Sequence, residues 1–149
     1  MLARYSAALS GNLQMFRVIE GDGIIHVVPI QSRSASGQLK ATIPLMDLTV
    51  SIPPQERTAG ALLVEICSVL QQKSRTSVIM GAVPASLLAS RQTKLGSSDE
   101  SARSLLDRIL RELRTPDGPP LSWQLFNDPG LHMYVLNIHP VVVAPISSK

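Results

Sequence analysis

The sequence predicts an α+β fold: a small mixed sheet with two helices packed on one face, in the order β-α-β-β-α-β-β, preceded by a partial copy of a helix and a β-hairpin. Three observations predict it. Two stretches, residues 57–74 and 97–113, repeat apolar side chains at helical spacing. Between them lie short runs of β-branched and aliphatic residues bounded by Gly, Pro and Asp, the signature of strands. Finally, "LSWQLFNDPGLHMYVLNI" at 121–138 reads as a hairpin, and a paler counterpart, "MFRVIEGDGIIHVVPI", occupies 15–30.

The chain has 149 residues, enough for one small domain and a fragment of another. Hydrophobic residues make up 44% and charged residues 17%, which favours a folded chain over a disordered one. With aromatics at only 3%, the core falls to Leu, Val, Ile and Met.

Residues 1–30 form the partial repeat. "MLARYSAALSGN" lacks the apolar centre of a signal peptide and reads as a short amphipathic helix ended by Gly11 and Asn12. Glu20-Gly21-Asp22-Gly23 then supplies the turn between two strands. At an ungapped offset of 107, Phe16 meets Trp123, Val18 meets Leu125, Ile19 meets Phe126, Gly23 meets Gly130, Ile24 meets Leu131 and Val28 meets Val135. A lone hairpin is marginal in water, so Phe16, Val18, Ile24 and Val28 are expected to pack on the complete module, on a second chain, or on a preceding half-module. On this reading the chain begins inside a module.

Residues 31–41, "QSRSASGQLKA", are small and polar and read as a flexible linker. The complete module follows over 42–143, with 144–149 as a tail. "MDLTVSI" is a strand stopped by Pro53-Pro54, which have no N–H to donate. Thr58 caps a helix whose stripe is Leu62, Leu63, Ile66, Val69 and Leu70, with Glu65, Gln71, Gln72 and Lys73 towards water. "TSVIMGAVP" is a strand closed by Pro84, and "SLLASRQTKLG" a weaker extended segment.

The second helix is expected to open at Ser97, with Glu100 three residues on as a capping box. Its stripe is Ala102, Leu105, Leu106, Ile109 and Leu113, and its outer side carries the pairs Asp107/Arg111 and Arg108/Glu112. In the closing hairpin Trp123 and Leu125 share a face, and Leu131, Met133 and Val135 are expected to share it on the second strand.

Fourteen basic and eleven acidic residues give +3, scattered rather than clustered. Nucleic-acid binding needs a concentrated basic face, and a KH-like reading also lacks its GxxG loop, so no nucleic-acid partner is expected. No apolar run reaches the roughly 18 residues of a membrane span. One cysteine, Cys67, leaves no internal disulfide and assigns no compartment.

His26, His132 and His139 with Cys67 are zinc-type ligands in kind, but they lack ligand spacing, and Cys67 sits by an apolar helix stripe. Ser10, Asp22 and His26 have triad chemistry without a nucleophile elbow. "GDG" lacks the spacing of a phosphate loop. No catalytic residue, metal or cofactor is assigned. The rival reading, a small ligand-binding or hydrolase-like enzyme domain, requires a pocket lined by His132, Asp128 or His139. Trp123, Tyr134, Phe16 and His132 are the candidate interaction surface, since half-exposed aromatic side chains anchor interfaces.

The stretch from "LTVSIPPQERTAGALLVEICSVLQQKS" through "SSDESARSLLDRILREL" to "LSWQLFNDPGLHMYVLNI" resembles the short N-terminal module of secretins and TonB-dependent receptors, over about residues 47–140. That module runs strand, helix, two strands, a second helix with a polar or acidic start, and a closing hairpin. The resemblance implies a non-enzymatic interaction or assembly module of the bacterial cell envelope, periplasmic or exported. It would use strand edges and helix faces to contact a protein partner or a second copy of itself, as in a homodimer. No barrel, secretin core, plug domain or signal peptide is read in these residues, so pore and export roles do not carry over.

Overall fold

The computed structural model describes residues 15–21, 24–33, 36–128 and 130–141. The chain divides into two compact units, Met1–Leu45 and Met46–Lys149. The helix expected over residues 1–12 and the tail 144–149 lie outside the described residues.

In the first unit, β1 (Phe16–Gly21) and β2 (Ile24–Pro29) pair as the predicted antiparallel hairpin. The register sets Val18 opposite Val27 and Ile19 opposite His26. Phe16, Val18, Ile25 and Val27 therefore share one face, and Ile19, Ile24 and Val28 the other. Both faces are apolar, and Val28 is fully buried. Residues 31–41, where composition predicts a flexible connection, fold as a second hairpin, β3 (Gln31–Arg33) with β4 (Leu39–Ala41). Gly37, at φ 80°, supplies the left-handed residue in the segment between them. Met15 O accepts from both Ile30 N and Gln31 N, so one carbonyl ties the two hairpins together.

The second unit opens with a 3₁₀ turn at Leu45–Asp47, β5 (Thr49–Ile52) and β6 (Arg57–Thr58). Helix α1 (Ala59–Ser74) starts where the sequence places it, Thr58 accepting from Ala61 N at 3.1 Å. It ends at Arg75, whose left-handed φ of 55° turns its N–H back to Gln71 O. The predicted stripe is buried at Leu62, Leu63, Ile66 and Leu70, with Ala59 and Cys67 added, while Val69 is half-buried. Then come β7 (Ser77–Met80), α2 (Ala85–Ser90), β8 (Gln92–Thr93), β9 (Ser97–Ser101), α3 (Ala102–Glu112), β10 (Leu121–Asp128) and β11 (Met133–Pro140).

The α+β class stands, and its strands divide among small sheets rather than joining in one. β10, β11 and β7 form a three-stranded sheet, antiparallel between β10 and β11 and parallel between β11 and β7. β5 pairs instead with β9, and β6 with β8. α1 packs on β7 of the larger sheet and on β5 of the smaller, and α3 on β10 and β9. The helices thus meet strands of both sheets, and their apolar stripes are shared between them.

Three local expectations are corrected. Residues 85–90 are helical rather than extended. Ala, Ser and Leu are compatible with helix there, Pro84 precedes the helix as its N-cap, where its missing N–H costs no helical hydrogen bond, and Leu88 is buried beside Gly60 of α1. The second long helix begins at Ala102, not Ser97: Ser101 is its cap, accepting from Ser104 N at 3.2 Å. Ser97 instead donates to Val50 O at 2.6 Å and opens β9, whose ladder with β5 is irregular between Val50 and Ile52. Asp99, at φ 60°, absorbs that irregularity and accepts from the Ser51 hydroxyl at 2.9 Å.

The face of β11 is also corrected. Leu136 and Ile138 are the buried residues, opposite Leu125 and Trp123, whereas Met133 and Val135 point to the other side and Leu131 stands in the turn. The turn extends through His132, one residue further than the alternation from Leu131 assumes, and a shift of one residue exchanges the faces.

Gly96 brings the start of β9 against the end of β5. A Cβ there would stand 2.5 Å from Pro54 N and 2.6 Å from Ile52 O, backbone atoms with little freedom to retreat. Gly96→Ala is expected to lower unfolding free energy by about 2 kcal/mol, as overpacking does. Urea denaturation checks it, and an unchanged midpoint would refute the close approach.

Candidate functional site

The outer face of the three-stranded sheet makes the best-defined surface feature. Cross-strand partners share a face, so the register Phe126–Val135–Ile79 forms one apolar row across β10, β11 and β7, on the side away from the buried Leu136 and Ile138. Phe126 is 54% exposed and Ile79 41%; Val135, between them, is half-buried. Met133 lies in the next row, and Leu131, 67% exposed, stands in the adjoining turn. The row on the other side of Phe126–Val135 is polar, with Gln124 opposite Asn137. Asn137 Oδ1 accepts from Ala82 N at 2.7 Å and occupies the space a side chain at Gly81 would need.

The two edges of this sheet differ. On β7, Ile138 N donating to Ala82 O and Gly81 N donating to Leu136 O show which groups of β11 face β7. Val78 N points the opposite way, where Gln71 Oε1 of α1 accepts it at 3.3 Å. That edge is partly closed by a side chain. On β10, Val141 N donates to Pro120 O at 2.8 Å. The alternation of an antiparallel ladder then turns the backbone groups of Ser122, Gln124, Phe126 and Asp128 towards β11 and those of Leu121, Trp123, Leu125 and Asn127 away from it. No described strand pairs with that side.

β10 is held from its inner side. Trp123 Nε1 donates to Asp107 Oδ1 at 2.9 Å, and the Arg103 guanidinium lies 5.5 Å from the centre of the Trp123 ring. Arg103 in turn donates from Nε and a terminal nitrogen to Asp47 Oδ1, at 3.0 and 2.7 Å. The chain Asp47, Arg103, Trp123, Asp107 ties the start of this unit, α3 and the edge strand together. Asp107, expected on the outer side of α3, is buried because it serves Trp123. Arg108 pairs with Glu100 rather than Glu112, whose carboxylate accepts from the Thr93 hydroxyl.

Of the residues predicted as an interaction surface, Trp123 and Tyr134 lie on the inner side of the sheet, half-buried. His132 is exposed in the turn, at φ 48°, and Phe16 belongs to β1 in the first unit. Trp123 and Tyr134 are opposite Ile138 and Asn127, at different heights on the sheet. Sequence reasoning missed Ile79 and Val135 and did not single out Phe126 as exposed. The signal was present as a failure of clean alternation in "LSWQLFND" and "MYVLNI", where both faces carry apolar residues.

Within the second unit, the described residues weighed for chemistry have separate roles. Asp128 Oδ1 accepts from Gly130 N and Leu131 N, a turn-forming role. His132 shares that turn, while His139 follows Met133 along β11 by six residues, about 20 Å of strand. Cys67 is buried in α1, and burial pushes its thiol up to about 11. Ser10 and Asp22 lie outside the described residues. Among the described residues no three His, Cys, Asp or Glu side chains cluster as metal ligands would. An open depression of about 500 Å³ is bordered by Pro54, Lys94, Gly96, Ser98, Glu100 and Arg108. Its cations already face carboxylates, Lys94 Glu56 and Arg108 Glu100. No described helix is long and apolar enough to cross a membrane.

The chain matches no protein-family model, no curated protein and no solved structure.

Two predictions follow from the inner side. Trp123→Phe keeps an aromatic side chain, though a smaller one, and leaves the Asp107 carboxylate without the indole N–H, so stability should fall by about 1–3 kcal/mol in equilibrium denaturation. For Cys67, the folded thiol holds its proton up to about 11 whereas the unfolded one loses it at its lower, ordinary value. Unfolding therefore releases a proton in that interval, and stability declines as pH rises through it. Melting curves should show a shallower decline between about pH 9 and 11 for Cys67→Ala than for the parent chain.

Proposed function

We propose that this chain is a non-enzymatic protein-docking module of a bacterial cell-envelope assembly, of the kind formed by the short N-terminal module of secretins and TonB-dependent receptors. The observation that carries the docking role is the exposed apolar row Phe126–Val135–Ile79, on a sheet whose edge strand β10, eight residues long, pairs among the described strands with β11 alone. An edge of that length without lysine or internal proline is a template for another strand, and an apolar row next to it adds area to whatever docks. What supports the envelope reading is the succession of β5, helix α1 and β7, and later of β9, helix α3 and the β10–β11 hairpin; helix α2 and the short strands β6 and β8 are additions to the order that the resemblance implies.

The test compares the chain with Phe126→Asp, a substitution at an exposed position that leaves the inner face alone. Both are immobilised, exposed to detergent-solubilised envelope proteins, and any protein retained is purified and titrated against each by calorimetry; the self-association of each is measured by light scattering. The expected result is a pairwise contact, with another protein or with a second copy, weakened at least tenfold by Phe126→Asp. If no Phe126-dependent contact of either kind is found, the docking role is wrong.

A further inference from the structure

We infer that the outer face of the three-stranded sheet is a dimerisation face, on which the same face of a second copy of this chain stacks about a two-fold axis running along β11. The inference rests on the docking role above and names its occupant.

The face is apolar towards one end and polar towards the other. Among the described residues of the second unit, the exposed large apolar side chains are Val64, Ile79, Phe126 and Leu131, and all but Val64 stand on this face or in the turn at its end. Val135 lies between Phe126 and Ile79, and Met133 continues the surface towards Leu131. In the other direction Gln124 and Asn137 take over. A contiguous apolar patch rimmed by polar side chains marks a site of interaction.

Charge selects the occupant. The chain has fourteen basic residues, yet β7, β10 and β11 hold neither Lys nor Arg. Their one carboxylate, Asp128, stands at a corner of the sheet and is engaged by Gly130 N and Leu131 N. A charged partner would lose its hydration on this face and find no counter-charge in return. A second copy brings a surface equally without cations, with Phe126 and Met133 in it, and depletion of charge with enrichment of aromatic residues and Met is the composition of an interface core.

Symmetry does not select the arrangement, because any two-fold axis lying between two stacked sheets relates them; the pattern of rows does. An axis along β11 lays each row over its own kind: Phe126 over Ile79 of the second copy, Val135 over Val135, Met133 over Met133 and Asn137 over Asn137. An axis along the row Phe126–Val135–Ile79 would instead set Met133 over Asn137, pressing a carboxamide against apolar atoms. With the axis along β11, Asp128 lies over Ser77 of the second copy, so the two carboxylates stand at opposite edges of the pair. The strands of the two copies then run within about 30° of each other, as in aligned sheet packing.

The experiment uses the full chain and the variants Phe126→Lys and Ile79→Glu, each measured alone, as an equal mixture, and combined in one chain, by light scattering over a wide range of concentration. The parent chain is expected to be a dimer at the upper concentrations. Each single variant should weaken the dimer by about tenfold or more, since it sets a lone charge against an apolar side chain. The mixture sets Lys over Glu once and the double variant sets it twice, so both should restore the dimer. Melting temperatures close to the parent's establish that the variants are folded. Ser77→Glu, at an exposed position that is already polar, carries the same test without removing an apolar side chain: it places a carboxylate over Asp128 of the second copy and should weaken the dimer severalfold.

A parent chain that stays monomeric overturns the inference. So does a dimer indifferent to Phe126→Lys and Ser77→Glu, or one that the single variants weaken but neither the mixture nor the double variant restores. In each of these cases a Phe126-dependent contact with another protein, or with a second copy stacked differently, would leave the docking role standing.

Discussion

Everything in the second unit depends on finding cover for the apolar sides of α1 and α3. Leu62, Leu63, Ile66 and Leu70 on one, and Leu105, Leu106 and Ile109 on the other, are all essentially removed from water. Each such side chain contributes about 1.5–3 kcal/mol when fully buried. Neither sheet is wide enough to cover both helices alone. The β5–β9 pair takes part of each stripe and the β10–β11–β7 sheet another part. A chain of this length therefore holds its helices with several short sheets, and short sheets have proportionally many edges.

Those edges are treated unequally. β5 runs into Pro53-Pro54, and β7 has Gln71 on its outward N–H. β10 receives its support on the inner face, through Trp123 to Asp107 and under Arg103, and among the described strands it pairs with β11 alone. The indole is thereby fixed in place without being part of the exposed surface. That explains why the one tryptophan serves the fold while Phe126, three residues on and on the opposite face, stands in water.

What was legible in the sequence is what local chemistry decides. Thr58 before an apolar stripe gave the start of α1, and the stripes themselves named most of the buried residues of both long helices. Gly and Asp at residues 20–23 placed the first hairpin. Where two local signals overlapped, the choice rested on tertiary partners invisible to a short window. Ser97 with Glu100 reads as a capping box, yet Ser101 is the cap, because residues 97–101 pair with β5. Residues 85–90 carry too little periodicity to declare themselves, and Leu88 acquires its role only by meeting α1. The Asp47–Arg103 pair joins residues 56 apart and leaves no local trace. Of the site, the hairpin was legible; the row on its far face was not, because its third member, Ile79, belongs to a strand that becomes a neighbour only when the parallel pairing with β11 forms.

The two hairpins show how far a repeat in sequence extends into structure. At the offset of 107, Phe16 corresponds to Trp123, yet Phe16 is opposite Pro29 whereas Trp123 is opposite Ile138, not Leu136. The pairing differs by two residues because the β10–β11 connection runs from Asp128 to Met133, longer than the one from Gly21 to Ile24. A two-residue displacement exchanges cross-strand partners but keeps every side chain on its face. Both hairpins carry apolar residues on both faces, and such a pattern tolerates an even shift without exposing a core residue. The common composition thus reflects a common requirement, cover on two sides. β10–β11 meets half of that requirement with Leu125, Leu136 and Ile138 turned inward and still presents Phe126 and Val135 outward, the same double commitment that β1–β2 carries in Val18 and Val28.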